Sequence, residues 1–327
     1  MKAVSLFSGG LDSLLAVCLM QDQGIEVVAV NFVSPFFGAE PANRKAAAQL
    51  GIEYHELDIG TEYMDLLKKP VYGYGKNFNP CIDCHGFMLN RAGRFMEEIG
   101  ASFLVTGEVV GERPMSQNKS ALQQVEKLSG YKGLVLRPLS ARLLEPTIPE
   151  QEGWVDRSRL LDISGRSRSR QMQLAEHYGI KEYPTPAGGC LLTQENYSRR
   201  LRRILAVKPE IAVDELAILK TGRHFYLSEG ELLVVGRNHN ENEQLQKIAR
   251  SHDYLIKVTD RPGPLGLLRL FDADKTPDLL TAASIVARYS DARDLDSTRV
   301  SISPPDSLEP ILLSVRPCQP EEVPPSV

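Results

Sequence analysis

The sequence predicts an α/β fold with a doubly wound parallel sheet, followed by a second, smaller α+β domain. Short apolar runs alternate with helical segments up to about residue 140, an order of elements that is typical of parallel sheets. After about residue 211 short strands dominate instead. The 327 residues, of which 42% are hydrophobic, suffice for two packed domains.

The strands of the first domain are predicted at "KAVSLF", "IEVVAVNF", "IEYHELDI" and "SFLVTG", with helices beginning near Leu11, Ala39 and Cys84. In the second domain "HFYLSEGELLVVG" predicts a hairpin, and "YLIKVT" and "LGLLRL" predict further strands. We therefore expect a first domain over 1–150, an arginine-rich connector over 151–210 that carries Cys190, a second domain over 211–305, and a disordered proline-rich tail over 306–327.

Bulk composition restricts the classes of function. A net charge of −4 gives no global argument for nucleic-acid binding, so such binding has to rest on local patches. No apolar run approaches the roughly 18 residues of a membrane span, and the chain opens directly with a strand rather than a signal sequence. We expect a cytoplasmic protein without a membrane partner, in which a CxxC pair binds metal or is catalytic.

The segment "SLFSGGLDSLLA" leads from the first strand into the first helix. Gly9 and Gly10 allow close approach of the backbone, the helix N-terminus favours an anion, and Ser8 and Ser13 add hydroxyl donors. No lysine follows the glycines, so the charge of a bound polyphosphate is expected to be met by Mg²⁺, held by Asp12, and by distant basic residues. The alternative is an ordinary strand-to-helix turn with a serine N-cap.

Three cysteines form a second candidate site. Cys81 and Cys84 form a CxxC pair that leads into a helix, where the dipole favours a thiolate, and Cys190 follows the glycine turn in "TPAGGC". The three thiols suit a zinc site completed by His85 or another histidine, a dithiol that carries a persulfide, or a [4Fe–4S] cluster with one iron left open. The alternative is that all three cysteines are simply buried core residues, as we expect for Cys18 in the first helix.

Two segments, "DRSRLLDISGRSRSRQ" and "YSRRLRRIL", are locally basic. Arg199, Arg202 and Arg203 share one helix face, which suits contacts with successive phosphates unless it is simply a solvated face. Arg288 and Arg293 flank Tyr289, which either stacks on a base or belongs to a buried helix stripe. The predicted RNA contacts are Arg166, Arg168, Arg170, Arg199, Arg202, Arg203, Arg237, Asn238 and Arg288.

The motif "SGGLDS" resembles the signature of the N-type ATP pyrophosphatases, the PP-loop family with an adenine nucleotide alpha hydrolase-like fold. The resemblance implies that ATP pyrophosphate binds at Ser8, Gly9, Gly10, Asp12 and Ser13. Thr106 and Gly107, in "TGEVVGERPMSQ", follow a later strand at the carboxyl end of the sheet, where such sheets bind ligands.

"NPCIDCHG" with a distant third cysteine resembles the tRNA 2-thiouridine and 4-thiouridine synthetases of that family, whose cluster-dependent branch has three cysteines. His85 departs from the cluster-free pattern, in which asparagine is usual. "LLVVGRNHNENEQL", "GPLGLL" and "AASIVARYSDAR" resemble, in order and spacing, the NFACT-R RNA-binding module over roughly residues 220–303.

These resemblances imply an ATP-dependent tRNA sulfurtransferase with ATP, Mg²⁺ and a [4Fe–4S] cluster as cofactors. Its catalytic residues are then Cys81, Cys84, Cys190 and Asp12, with the three thiols as metal ligands. The sulfur donor is either inorganic sulfide or a persulfide carrier, and the target base and oligomeric state stay open. The alternatives are a PP-loop ligase or amidotransferase with a zinc site, and a non-catalytic RNA-binding adaptor.

Overall fold

The structure of the protein is a computed structural model that describes residues 1–38, 41–184, 189–272, 274–303 and 309–327. It divides into two compact units, Met1–Thr193 and Gln194–Val327. The first contains a parallel sheet with helices and the second an antiparallel sheet with helices, so the predicted fold class is confirmed. Within the described residues no helix combines the length and apolarity of a membrane span.

The first unit contains a five-stranded parallel sheet in the order β3-β2-β1-β4-β5. Its strands are β1 Lys2–Leu6, β2 Glu26–Val33, β3 Glu53–Asp58, β4 Phe103–Thr106 and β5 Val135–Leu136. Its helices are α1 Leu11–Gln21, α2 Pro41–Gln49, α3 Gly60–Lys68, α4 Cys81–Glu98, α5 Lys119–Ser129, α6 Ile148–Gln151 and α7 Ser169–His177. Strands β1, β2 and β4 are built mainly of β-branched and other apolar residues because they are covered on both faces, whereas the edge strand β3 is mostly polar and has no buried residue.

The strand order reverses between β1 and β4, which are hydrogen-bonded neighbours with Leu6 opposite Thr106. At such a switch point the connections after the two strands diverge to opposite faces and leave a crevice at the carboxyl edge. Both segments singled out in the sequence, the SGGLDS motif after β1 and Thr106–Gly107 after β4, lie at this edge.

Two expectations about the first unit need correction. The predicted connector over 151–210 does not exist as a separate region, because Leu160, Ile163 and Ala175 are buried in the same core as α1, and α7 packs against α1. The unit therefore extends to Thr193. Helix α4 begins at Cys81 rather than near Cys84, α3 was not predicted, and the expected helix start at Ala39 lies outside the described residues.

The second unit contains a six-stranded antiparallel sheet in the order β11-β10-β8-β9-β7-β6. Its strands are β6 Arg223–Ser228, β7 Glu231–Val235, β8 Tyr254–Val258, β9 Gly266–Leu270, β10 Thr298–Ser303 and β11 Ile311–Val315. Its helices are α8 Glu195–Val207, α9 His239–Ile248 and α10 Leu279–Arg288, with a 3-10 helix over Val213–Lys220. The predicted hairpin of β6 and β7 is confirmed.

The predicted disordered tail is wrong over most of its length. Strand β11 pairs antiparallel with β10, and Val315 and Cys318 are buried in the second core. Because the prolines flank this strand instead of interrupting it, they leave its ladder hydrogen bonds intact. Residues 306–308 of the expected tail lie outside the described residues.

Candidate functional site

The SGGLDS loop presents uncapped backbone N–H groups at the start of α1. Gly9 has a φ of +68°, which disfavours other residue types, and a side chain there would collide with Asn43. Gly10 is the N-cap and makes no side-chain capping bond, so the alternative of a serine N-cap is not what the structure has. The first helical hydrogen bond runs from Leu14 N to Gly10 O at 3.1 Å, which leaves the preceding N–H groups to a ligand.

The three predicted hydroxyl donors differ in their surroundings. Ser8 is exposed, and its hydroxyl lies 3.4 Å from Gly10 N. Ser13 is buried and its hydroxyl donates to Gly10 O at 2.8 Å. Thr106 is also buried and donates to Glu108 at 3.1 Å. Ser8 is therefore the hydroxyl best placed to contact a ligand, whereas the other two shape the backbone.

Asp12 lies on the first turn of α1 with an incomplete set of partners. Its Oδ1 is buried and accepts no hydrogen bond from the described residues, while Oδ2 lies 3.9 Å from Arg168 Nη2. Burial raises the pKa of the Asp12 carboxyl, and the Arg168 guanidinium opposes this rise. Arg168 Nε is likewise buried without a described partner. Buried polar groups without hydrogen bonds destabilise the fold unless a ligand or a water molecule forms hydrogen bonds with them.

The segment Thr106–Glu108 connects the start of α1 with the start of α4. Gly107 packs so closely on α1 that an added Cβ would lie 2.6 Å from Asp12 C and from Ser13 N. Next to it, Glu108 Oε1 lies 2.9 Å from Nδ1 of His85, the residue that follows Cys84. The two candidate sites are thus joined through one short segment of chain.

Glu108 is fixed by a buried ion pair that the sequence analysis did not identify. Arg137 Nε donates to Glu108 Oε2 at 3.0 Å, and both side chains are almost fully buried. Burial alone would raise the pKa of Glu108, but the charges and hydrogen bonds of Arg137 and His85 lower it to about 2. Only the position of Glu108, two residues after Thr106 at the end of a strand, could have indicated it.

The three cysteines lie near one another in the first unit. Cys190 is brought in by hydrogen bonds that flank it: Leu191 N donates to Phe36 O at 3.2 Å, and Phe78 N donates to Leu192 O at 3.3 Å. Asn79 Nδ2 donates to Cys81 Sγ at 3.1 Å. Residues 185–188 of the preceding glycine turn lie outside the described residues.

The thiols are close enough to influence one another's ionisation. Burial raises the pKa of Cys84, a hydrogen bond from the Tyr63 hydroxyl opposes the rise, and Cys190 and Cys81 add to it. Burial also raises the pKa of Cys190, with a further contribution from Cys81. Over the described part of the chain, no three His, Cys, Asp or Glu side chains are grouped as ligands of a single metal ion.

The arginines predicted to contact RNA are differently engaged. Arg170 pairs with Asp162 at 2.8 Å, Arg168 faces Asp12, and Arg203 lies over the Tyr226 ring at 3.9 Å. The other predicted residues on the surface are Arg166, Arg199, Arg202, Arg237 and Asn238, whereas Arg288 is half-buried.

In the second unit Asn238 is the N-cap of α9 and accepts from Glu241 N at 3.0 Å. Arg237 forms an ion pair with Glu241. The ring of Tyr289 stacks on Phe225 with centroids 5.6 Å apart and carries Arg223 at 4.9 Å. Tyr289 thus contacts two residues of the protein itself, the aromatic Phe225 and the cationic Arg223.

Cys18 is buried in α1, as the sequence predicts. Residues that the sequence analysis missed around the candidate site are Tyr63, Glu108 and Arg137. Glu108 lies in the quoted segment "TGEVVGERPMSQ", but its role, like those of Tyr63 and Arg137, depends on contacts between distant segments.

The comparison with known proteins gives separate family matches for the first and the second unit. Residues 1–142 match the family model described as thiamine biosynthesis protein (ThiI), and residues 222–326 match that of the NFACT protein RNA binding domain. A tRNA-specific 2-thiouridylase MnmA of Pelobacter propionicus is 34% identical over 119 residues, 33% of this chain and 33% of that protein. A probable tRNA sulfurtransferase of Thermococcus kodakarensis is 28% identical over 144 residues, 41% of this chain and 37% of that protein.

The chain thus spans only about a third of the length of these curated relatives. Among solved structures, a 4-thiouridine synthetase–RNA complex with bound ATP is similar at 24% identity with a TM-score of 0.39, over 67% of this chain and 52% of that one. The chain joins a PP-loop domain of the ThiI type at its N-terminus to an NFACT-type RNA-binding domain at its C-terminus.

Proposed function

We propose that this protein is an ATP-dependent tRNA sulfurtransferase that thiolates a uridine. The observation that carries the proposal is the proximity of three cysteines from segments about a hundred residues apart, in a unit that also has an uncapped glycine loop at its switch point. The Thr106–Glu108 segment contacts both. The names of the relatives supply the substrate class, tRNA, and the N-terminal family match agrees with the use of ATP.

In this proposal the pyrophosphate part of ATP binds to the backbone N–H groups after Gly9 and Gly10, with Ser8 as a hydroxyl donor. Asp12 holds Mg²⁺ through its unsatisfied Oδ1, since carboxylate oxygens suit that ion. Arg168 lies 3.9 Å from Asp12 and is the cation that acts on it most strongly, with Arg113 as a second one. We therefore assign Arg168 to the phosphates of ATP and not to RNA. Its positive charge would replace that of the lysine which this loop lacks.

The reaction consists of two displacements. The uridine carbonyl oxygen attacks the α-phosphorus of ATP and expels pyrophosphate, which leaves the base as an O-adenylate. Sulfide supplied by the donor then attacks the carbonyl carbon, and the C–O bond breaks with AMP as leaving group. One sulfide, one ATP and one uridine thus give one thiouridine, AMP and pyrophosphate. The protein contributes by holding the reactants together, which is worth on the order of 7–11 kcal/mol in well-oriented systems.

We also propose that Cys81, Cys84 and Cys190 hold a [4Fe–4S] cluster. In such a cluster the thiolates bond to different irons, so three neighbouring sulfurs fit it without sharing one ion, whereas zinc needs them on one centre. When bound, the cluster supplies an iron without a protein ligand, at which sulfide can be held. Because tRNA is the proposed substrate, we place the protein in the cytoplasm.

The test uses tRNA isolated from a strain that lacks the gene, incubated anaerobically with the purified protein, ATP, Mg²⁺ and sodium sulfide. Digestion of the tRNA is expected to yield a thiolated uridine, with pyrophosphate released only when tRNA is present. Iron and acid-labile sulfide analysis with an absorbance band at roughly 400 nm checks the cluster. Zinc in a colourless protein would favour a ligase, and absence of ATP turnover with retained tRNA binding would favour an adaptor.

A further inference from the structure

The second unit contains a small cavity lined mainly by arginines. Its volume is about 290 Å³, and its wall includes four guanidinium side chains from three elements: two from α8, one from β6 and one from the β7–α9 turn. These are Arg199, Arg200, Arg223 and Arg237. Two carboxylates contact them within the described residues: Glu241 pairs with Arg237, and the terminal carboxylate of Val327 accepts a hydrogen bond from Arg200. The four guanidinium charges exceed these two, so the cavity is positive.

Three of these guanidinium groups are fixed in place by contacts with the protein. Arg200 donates from Nε to Val327 O at 2.8 Å and from Nη1 to Leu219 O at 3.0 Å. Arg223 lies over the ring of Tyr289. Arg237 donates from Nε to Glu241 at 2.8 Å.

Each guanidinium carries five N–H donors, so these bonds do not exhaust them. Among the described residues Nη2 of Arg200 and Nη1 of Arg237 donate no hydrogen bond. Arg199 is exposed at the rim. Donors that are already oriented lose little entropy when they bind an anion.

The ionisation of neighbouring groups agrees with a positive potential in this region. Burial lowers the pKa of Arg200, and the charges of Arg237 and Arg199 lower it further. Burial together with the Arg200 charge lowers the pKa of His224 to about 3, so this histidine is neutral and adds no charge. The charges of Arg199 and Arg237 thus act unfavourably on that of Arg200.

We propose that this arginine pocket binds a phosphate group of the RNA backbone. The inference rests on the proposed function, which it deepens by naming where the second unit holds tRNA. Guanidinium groups recognise phosphate through paired N–H donors, and a cluster of fixed ones binds a bent backbone more tightly than exposed single arginines do. The pocket includes Arg200 and Arg223, which are not among the predicted RNA contacts, and it assigns a partner to Arg199 and Arg237.

The test measures binding of fluorescently labelled tRNA to the full chain by anisotropy, at salt concentrations from about 50 to 200 mM. The variant is Arg199→Gln with Arg223→Gln, since neither side chain holds a buried backbone group. We expect a rise in Kd of about tenfold or more and a smaller salt dependence, by about one unit of the log–log slope for the lost phosphate contact. At subsaturating tRNA the rate of thiolation by this variant should fall as well, because loss of the pocket raises KM for tRNA.

The matched control is Arg261→Gln with Arg293→Gln, which removes two exposed arginines of the same unit outside the pocket. It changes the net charge equally and should alter Kd less than twofold. Replacement of Arg199 and Arg223 by lysine should restore part of the affinity, and thermal unfolding confirms that each variant is folded. Equal losses in pocket and control variants would overturn the proposal, since they would indicate only a general effect of charge.

Inorganic phosphate distinguishes an RNA phosphate from a free one. Exchanged for chloride at constant ionic strength, it should weaken tRNA binding by the unaltered protein and not by the glutamine variant. If phosphate binds in the pocket but the variant binds tRNA normally, the site serves a free anion and the proposal is wrong. If the unaltered protein binds no tRNA, the proposed function fails together with it.

Discussion

Glu108 illustrates how a single residue supports the site without contacting a ligand. It accepts hydrogen bonds from Thr106, Arg137 and His85, and so fixes both the strand end and the first turns of α4. A buried carboxylate is favourable only when its charge is matched, and here the Arg137 guanidinium provides the largest single compensation. Loss of either partner leaves the other charge buried with one remaining partner, His85 for Glu108 and Glu126 for Arg137.

We expect Glu108→Gln to lower the free energy of unfolding by about 3–5 kcal/mol, because Arg137 then keeps its charge in a buried position. Urea unfolding at neutral pH measures the loss. Arg137→Gln should cost a similar amount, and the double variant less than the sum of the two. If the loss of the double variant equals the sum of the two single losses, Glu108 and Arg137 do not stabilise the fold through their interaction with each other.

The same pair predicts a dependence of stability on pH. The pKa of Glu108 is about 2 in the folded protein and 4.5 ordinarily, so ionised Glu108 stabilises the fold above pH 4.5. This contribution, about 3 kcal/mol, is lost as the pH falls from 4.5 toward 2. The difference in unfolding free energy between the unaltered protein and Glu108→Gln should shrink over that range. A difference that grows on acidification would contradict the assignment.

The cysteines give a functional prediction at the same scale. Cys190→Ala should reduce thiouridine formation by about a hundredfold or more, since the residue is proposed to hold the cluster at which sulfide is bound. Release of pyrophosphate with tRNA should persist, because adenylation does not need the thiol. Cys18→Ala is the control, as Cys18 is buried in the same unit without a partner of this kind. Its nucleoside yield should change less than twofold.

At the scale of elements, the start of α1 depends on two close approaches of backbone. Gly107 lies against the peptide between Asp12 and Ser13, and Gly9 lies against Asn43. Neither neighbour can move without displacing a helix end. The shape of the loop is therefore set by packing as well as by its own dihedral angles.

Gly107→Ala should weaken ATP binding by about tenfold and cost roughly 1–3 kcal/mol of stability, because the added methyl group forces α1 away. Calorimetric titration with ATP and thermal unfolding measure the two effects. Gly10→Ala is the contrast: its φ is −75° and its Cβ would meet only the Ser8 hydroxyl, at 3.4 Å. Equal losses at Gly10 and Gly107 would mean that contact with ATP, not packing, determines both.

At the scale of the whole molecule, the two units have separate hydrophobic cores, one around α1 and one around α10. Strand β11 completes the second core, with Val315 directed inward and 3% exposed and Leu312 directed outward and 66% exposed. A segment that composition marks as a tail is thus part of the RNA-binding domain.

We expect Val315→Asp to lower the unfolding temperature of the second unit only, since an aspartate there would be buried without a partner. The cost is about 3 kcal/mol or more. Differential scanning calorimetry should resolve two transitions, of which one shifts. Leu312→Asp on the same strand is the control and should leave both transitions in place. A shift of the first unit's transition would contradict the separation of the cores.

Much of the fold was accessible from local patterns. The periodicity of β1 to β4 and of the β6–β7 hairpin predicts those elements because burial imposes it residue by residue. The prediction of a disordered tail was wrong because β11 is short. It is separated from β10, the strand with which it pairs, by residues whose composition is typical of a loop. The prediction of a separate connector was wrong because its apolar residues lie among many arginines and show no clear periodicity. Three of them, Leu160, Ile163 and Ala175, are nevertheless buried in the first core.

The sequence by itself determined strands β1 to β4, the β6–β7 hairpin, the glycine loop after β1 and the identity of the three cysteines, since each follows from residue types at short spacing. Only the tertiary structure decided that Arg168 faces Asp12, that Glu108 joins His85 to Arg137, and that four arginines surround one cavity. These are contacts between segments far apart in the chain. Their distances depend on how strands and helices pack, and that packing is a property of the whole fold rather than of any local pattern.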